Sequence, residues 1–268
     1  MDREDLSFLE SMFKKPVNEI DQAVLIINQS KRTKLSSNFE NIRVINDGNY
    51  GLSRSRNLAM ANSIHKYVWI LDDDVVLLPD AVKNIIEAIN RQPSAAALTF
   101  MIQLPDGKSF RNYPNNEFDY SASHLKTGPA SIEIILNVER LQTKSVQFNE
   151  RFGLGAQFPV GEEQVLFMDL LAAGEQARFI PKYIVQHDEI SSGMDPVENK
   201  TVYARGAIAA HENYWTAGWK HFKYVFFLWR KGYVRSFSGL IKAYWLFNHG
   251  AQDYITGFEG HRNHHHDL

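Results

Sequence analysis

The stretch YVWILDDDVVLLPDAV, residues 67–82, sets three consecutive aspartates, Asp72, Asp73 and Asp74, between two apolar runs. Carboxylates packed this closely repel one another by about 4 kcal/mol per pair at 4 Å and an effective dielectric near 20. A cation is therefore expected beside them. The preceding residues, YVWIL (67–71), read as a strand, and Pro79 with Asp80 opens a helix carrying Val82, Ile85, Ile86 and Ile89 on one face. Acids at a strand end suit a doubly wound sheet, which binds ligands beyond the carboxyl ends of its strands.

Working upstream, Leu6, Leu9, Met12 and Phe13 recur at helical spacing over residues 4–14, and Pro16 ends the pattern. QAVLIINQS (22–30) and NIRVIND (41–47) read as buried strands, and SRSRNLAMANSI (53–64) as a helix. Downstream, AAALTFM (95–101) is another strand. Strands alternating with helices predict an α/β fold with a doubly wound, mostly parallel sheet. The periodicity fades over 102–150, where QLPDGKSFRNYPNNEFDYS reads as loop or hairpin. A helix, EEQVLFMDLLAAG, then ends at Gly174, and RFIPKYIVQHD returns as an extended segment. The expected organisation is an α/β domain over 1–200 and an aromatic-rich helical region over 201–268.

At 268 residues the chain can bury a sizeable core, and its net charge of −2 argues against nucleic-acid binding by bulk electrostatics. With no cysteine there is neither a disulfide framework nor a thiolate metal site. The acidic opening MDREDLSFLE is not expected to act as a signal peptide, and no run of about 18 uncharged apolar residues predicts a membrane span. A cytoplasmic location is the expectation.

In an extended strand end, residues two apart face the same way, so Asp72 and Asp74 are expected to project together and Asp73 elsewhere. That geometry suits one Mg2+ or Mn2+, which takes one or two carboxylates and completes its shell with water and phosphate oxygens. A solvated or helix-capping acidic turn is the plainer alternative. Three further segments, GNYGLSRSRNLAMA (48–61), GEEQVLF (161–167) and QHDEISSG (186–193), bear on the choice. Together with the aspartates they resemble family 2 glycosyltransferases of GT-A type, over residues 1 to about 195.

The resemblance implies transfer of a sugar from a nucleotide-diphosphate donor, a UDP-sugar, to a hydroxyl of a glycan or lipid-linked acceptor in surface polysaccharide assembly. It assigns Asp72 and Asp74 to the metal, with His187 as a further ligand. Glu163 matches the base that deprotonates the acceptor, with Glu162 as the alternative. Asn28 and Gln29 of the loop INQS (27–30), with Arg56, Asn57 and Asp73, fall on the nucleotide side. Asn28 and Gln29 stand where many members have two aspartates. Inversion at the anomeric carbon is expected.

Each residue also has a plainer reading: Glu162 and Glu163 favour a helix N-terminus through its dipole, His187 suits a loop, and Arg56 a helix surface. The family opens with a buried strand, whereas MDREDLSFLESMF resembles the loop and helix that come after that strand. A late start, leaving a central gap in the sheet, is the expectation. The rival enzyme is a phosphohydrolase of haloacid dehalogenase type with Asp72 as nucleophile, but its later Gly-Asp-x-x-x-Asp motif is not found, since GEEQVLFMD (161–169) misses the spacing. A non-catalytic sugar-nucleotide or glycan-binding relative is the rival from another class.

Between 201 and 250 seven Lys or Arg accompany one acid, Glu212, with Trp, Tyr and Phe interleaved. Either the aromatics pack on the sheet as a helical subdomain, or 203–247 docks on an anionic membrane surface. The tail HRNHHHDL is expected to be a disordered terminus.

Overall fold

The computed structural model describes residues 3–126, 128–188, 198–213 and 217–257, so the His-rich tail lies outside the described residues. The chain divides into two compact units. One comprises Met1–Tyr50, Arg54–Gln147 and Leu166–Ile190, the other Gly51–Ser53, Phe148–Val165 and Ser191–Leu268.

In chain order the first unit holds α1 (Phe8–Phe13), β1 (Val24–Asn28), β2 (Ile42–Asn46), most of α2 (Leu52–Ala61), β3 (Tyr67–Trp69), β4 (Val76–Leu77), α3 (Ala81–Arg91), β5 (Ala97–Gln103), β6 (Phe118–Asp119), β7 (Ile134–Asn137), α4 (Val138–Thr143), the later part of α5 (Glu162–Ala172), and β8 (Ala177–Gln186). The α/β class holds, but the sheet is mixed rather than mostly parallel. Its main part runs β3-β7-β5-β8-β4, with β6 also on β8. Only β5–β8 is parallel there; the β3–β7, β5–β7, β4–β8 and β6–β8 pairs are antiparallel. Two of the antiparallel pairs are made by β7, which lies within 102–150, where the periodicity fades. All four of its residues are buried, and burial on both faces erases the alternation that would have announced a strand.

β1 and β2 form a separate parallel pair. Val24 and Ile26 of β1 nevertheless share one core with Tyr67 and Trp69 of β3. The expectation that β1 and β2 are buried is not met. Only Asn28 and Ile42 are buried in them, and among the described residues β1 pairs with β2 alone.

The sheet-facing stripe of α3 also differs from the expected one. Ala81, Ile85 and Ala88 are buried and Ile89 is partly so, whereas Val82 and Ile86 are exposed. The small alanines let the helix approach the sheet, so the larger apolar residues misplace the centre of its buried face.

β8 contains Pro181, and there the β5–β8 register slips from Thr99↔Phe179 to Met101↔Tyr183. Proline has no N–H to give a ladder, so an irregularity is the expected consequence. It divides β8 in two: Arg178–Phe179 pair with β6, and Val185–Gln186 pair with β4.

The second unit is dominated by α6 (Asn199–Glu212), α7 (Ala217–Arg230) and α8 (Phe237–Thr256). α6 and α8 cross so closely that a Cβ on Gly206 would lie 1.9 Å from the Phe247 carbonyl oxygen, and one on Gly250 1.9 Å from that of Tyr203. Many C-terminal aromatics are exposed, whereas Phe247 is buried and Tyr224 packs against the same cluster. Among the described residues, no helix is long and apolar enough to cross a membrane.

Candidate active site

β3 stops at Trp69, and Asp73 and Asp74 form a turn leading to β4. The two-residue alternation expected for Asp72 and Asp74 therefore does not apply, and the three carboxylates take different partners. Asp72 Oδ2 accepts from Ser131 Oγ at 3.5 Å, Asp73 Oδ2 accepts from Arg3 Nε at 2.5 Å, and Asp74 Oδ1 lies 3.5 Å from His187 Nε2. Arg3 is the cation that the crowded acids call for, and it binds the middle one. It ties the chain start to the turn, also donating to the Asp73 carbonyl and accepting from Thr33. The other Asp73 oxygen is buried and has no hydrogen-bond partner.

The β4–β8 ladder brings Asp74 and His187 together. Its antiparallel register, Val76↔Gln186, sets the residues before Val76 opposite those after Gln186. His187 N–H donates to the Gln103 carbonyl, which fixes the backbone, and Nδ1 is 2.7 Å from the Asp188 carbonyl oxygen. A carbonyl only accepts, so Nδ1 carries the proton, and in the neutral ring the Nε2 lone pair faces the Asp74 carboxylate. Two lone-pair donors at that separation need a positive charge between them, either a second ring proton or a cation. Carboxylate with imidazole suits Mn2+, and Nδ1–H held by a carbonyl is the usual outer support of a metal-binding histidine. Among the described residues no three His, Asp or Glu side chains are grouped to hold an ion, so this pair would leave the remaining positions to water and phosphate oxygens.

Of the residues assigned to the nucleotide side, Asn28 is buried and committed inside the protein. Its Nδ2 donates to the Thr33 carbonyl and to Asn46 Oδ1, and its Oδ1 accepts from Ser30 N–H, which shapes the 30–35 loop. Gln29 donates to the Asn49 carbonyl at 2.7 Å. Arg56 is buried, which removes the surface-helix reading, and Asn57 is half-buried beside it on α2.

Sequence reasoning missed Asp47, at the end of β2, where the residue reads only as a turn former. Burial pushes its carboxyl up, but hydrogen bonds from Asn49 N–H and from Arg54 outweigh this and hold it below the usual carboxylate range. Ser131 was missed as well, since nothing local to SIEIILN announces a partner for Asp72.

In the second unit, Gly161 adopts φ +98° immediately before α5, where a Cβ would strike Ile208 Cδ1 at 2.4 Å. The glycine lets the chain turn into Glu162 and Glu163 at the helix start. Glu162 is buried, with its carboxyl carbon 3.3 Å from where a Cβ on Gly153 would sit. Glu163 is half-exposed. Next along, buried Gln164 accepts from Arg205 Nη1 at 2.6 Å. Accessibility thus separates two adjacent acids that the sequence alone left as alternatives.

Residues 21–151 match the family model described as Glycosyl transferase family 2. Over those residues, just under half of the chain, the sequence is similar to that family. The family 2 segment contains Asn28, Gln29, Arg56, Asn57 and Asp72–Asp74, while Glu162, Glu163 and His187 lie beyond it. The match displaces the phosphohydrolase reading of Asp72. Solved structures similar to the chain include S. aureus TarS 1-349, at 14% identity and TM-score 0.48, covering 78% of this chain and 60% of that one. TarS 1-349 in complex with UDP-GlcNAc gives 14% identity and TM-score 0.49, covering 78% and 61%. The complex with UDP gives 14% and 0.48, covering 95% and 87%. The chain thus spans about three fifths of the first of these structures. Comparison with curated proteins gives no match.

Proposed function

We propose that the chain is a metal-dependent, inverting glycosyltransferase that moves a sugar from a UDP-sugar to a hydroxyl of a glycan or lipid-linked acceptor in surface polysaccharide assembly. The observation that carries the reading is the Asp74–His187 pair, 3.5 Å from Oδ1 to Nε2, within and just beyond the segment similar to family 2. Asp74 and His187 would hold Mn2+ or Mg2+, with Asp72 alongside in the same turn. When bound, such an ion supplies Lewis-acid stabilisation of the departing diphosphate without a proton.

The chain's own residues do the remaining work. Glu163, half-exposed on the first turn of α5, takes the proton of the acceptor hydroxyl. The acceptor oxygen then bonds to the anomeric carbon as the bond from that carbon to the diphosphate oxygen breaks, and UDP leaves with the electron pair. One displacement inverts the centre. Arg3 keeps the middle carboxylate of the turn neutralised, and buried Arg56 supplies a fixed positive charge on α2.

Titration calorimetry of UDP with and without Mn2+ tests the reading. Binding should require Mn2+ and weaken at least about tenfold in Asp74→Asn and in His187→Ala, as expected when a ligating group is removed. Equal UDP affinity with and without Mn2+ in the parent chain would overturn it. Retention of anomeric configuration in the product, read by NMR, would overturn the inverting step alone.

A further inference from the structure

Within the second unit, α7 carries its apolar residues on the side where a surface helix should be polar. His221 and Leu228, two turns apart, are buried. On the opposite side Trp219, Phe222 and Phe226 follow at helical spacing, with Trp229 nearby, and all four are exposed, Trp219 by 62% and Phe222 by 60%. α8 repeats the pattern in its first half. Ala243 and Phe247 face inward, whereas Phe237, Ile241, Tyr244 and Trp245 face solvent, Phe237 by 78%. On α7 the exposed rings lean on one another, Trp219 stacking with Phe222 at 6.0 Å between centroids and Phe226 meeting Trp229 at 5.7 Å, while on α8 Tyr244 stacks on His221 and Trp245 on His249. A run of large apolar side chains this exposed marks an interaction surface.

The charge around it has one sign. No Asp or Glu occurs between Glu212 and Asp253, while Lys223, Arg230, Lys231 and Arg235 are exposed among the aromatics. The two cations nearest the core are otherwise engaged, Arg205 donating to Gln164 and Lys220 paired with Glu212 at 2.9 Å. Lys223 Nζ sits 5.2 Å over the Trp219 ring, the arrangement of a cation held at the rim of an aromatic patch.

We infer that the exposed face of α7 and of the first half of α8 docks on the surface of an anionic bilayer. Phe and Ile side chains would enter the acyl boundary, Trp and Tyr lie at headgroup level, and Lys and Arg meet lipid phosphates. A second copy of the chain fits poorly, since a self-complementary contact would oppose like cations with no acid to pair them. Single-stranded nucleic acid would use flat rings but would leave protruding Phe237 and Ile241 in water. The inference does not depend on the transferase reading.

The test is flotation of the full chain with large vesicles of phosphatidylcholine, alone or mixed equally with phosphatidylglycerol, together with tryptophan emission. Binding to the mixed vesicles should exceed binding to phosphatidylcholine at least about tenfold, fall with added salt and shift the emission to the blue. Phe222→Ser with Phe226→Ser should lower it at least about tenfold, and Arg230→Glu with Lys231→Glu should remove the preference for anionic lipid, both with an unchanged circular dichroism spectrum. No flotation with either vesicle overturns the inference. So does self-association in sedimentation velocity that the phenylalanine variant abolishes, or binding of a single-stranded oligonucleotide in place of vesicles.

Discussion

The α6–α8 crossing and the acids of the candidate site respond to different pressures. At the crossing, packing accounts for Gly206 and Gly250, which are there because backbone lies where a side chain would go. At the Asp72–Asp74 turn and at Glu163, packing accounts for little, and acids stand beside acids or half in water at some cost to the fold. The difference teaches where to look for chemistry, since local rules are kept where a residue only folds the chain and broken where it also acts. It predicts a separation of effects. Changes at the acids should alter turnover or affinity with little change in stability, and changes at the crossing the reverse.

The largest effect is expected at Glu163. Glu163→Gln keeps size and hydrogen bonding but cannot accept a proton, so turnover should fall by about 10²- to 10⁴-fold, or about 3–5 kcal/mol at the transition state. UDP affinity and melting temperature should stay within error of the parent. Initial rates over a donor concentration series separate the two quantities. A variant that turns over as fast as the parent places the base elsewhere, and a parent without turnover would make this a binding protein. Buried Glu162 sharpens the comparison, because Glu162→Gln should act through folding rather than through rate alone.

Next in size is the crossing itself. In Gly206→Ala the new methyl carbon would meet the Phe247 backbone oxygen at 1.9 Å, and no rotamer change relieves a backbone contact. α6 and α8 must separate, at a cost of about 3 kcal/mol or more, the upper range for an overpacked interior. Urea unfolding should show a lower midpoint in the variant, and Gly250→Ala should behave the same way. A variant as stable as the parent would mean the helices are not held at this separation.

The same contrast explains how much could be read in advance. β1, β2, α2 and β5 follow their local patterns, so the α/β class was legible. β7 was not, because burial of Ile134–Asn137 on both faces removes the polar beat of a strand. The buried stripe of α3 was misjudged because Ala81 and Ala88 carry less apolar weight than Val82 and Ile86, although only the former approach the sheet. In the candidate site, the segment types were legible through resemblance, whereas the partners were not. Arg3 meets Asp73 across 70 residues, and His187 meets Asp74 through a β4–β8 register that no window on the sequence contains. Pro181 is the one local hint that β8 changes partners midway.

The smallest expected effect lies between the two sides of α7. His221 points inward, stacked on Tyr244 at 3.8 Å and Phe247 at 5.0 Å between ring centroids, with Nε2 buried and unpartnered. Burial pushes its imidazole below the ordinary value of 6.5, over the opposing pull of a backbone contact with Tyr244. The unfolded chain therefore takes up a proton at a higher pH than the folded one does. The contribution of His221 is complete above 6.5 and is lost as pH falls through the lower folded value, so stability should decline with acidification over that window. His221→Phe, which keeps the ring stack and removes the titration, should flatten this part of the pH–stability curve. An unchanged curve would mean that water reaches the ring and that the inner side of α7 is looser than its outward face requires, since the exposed aromatics can be presented together only if the inward side is held firm.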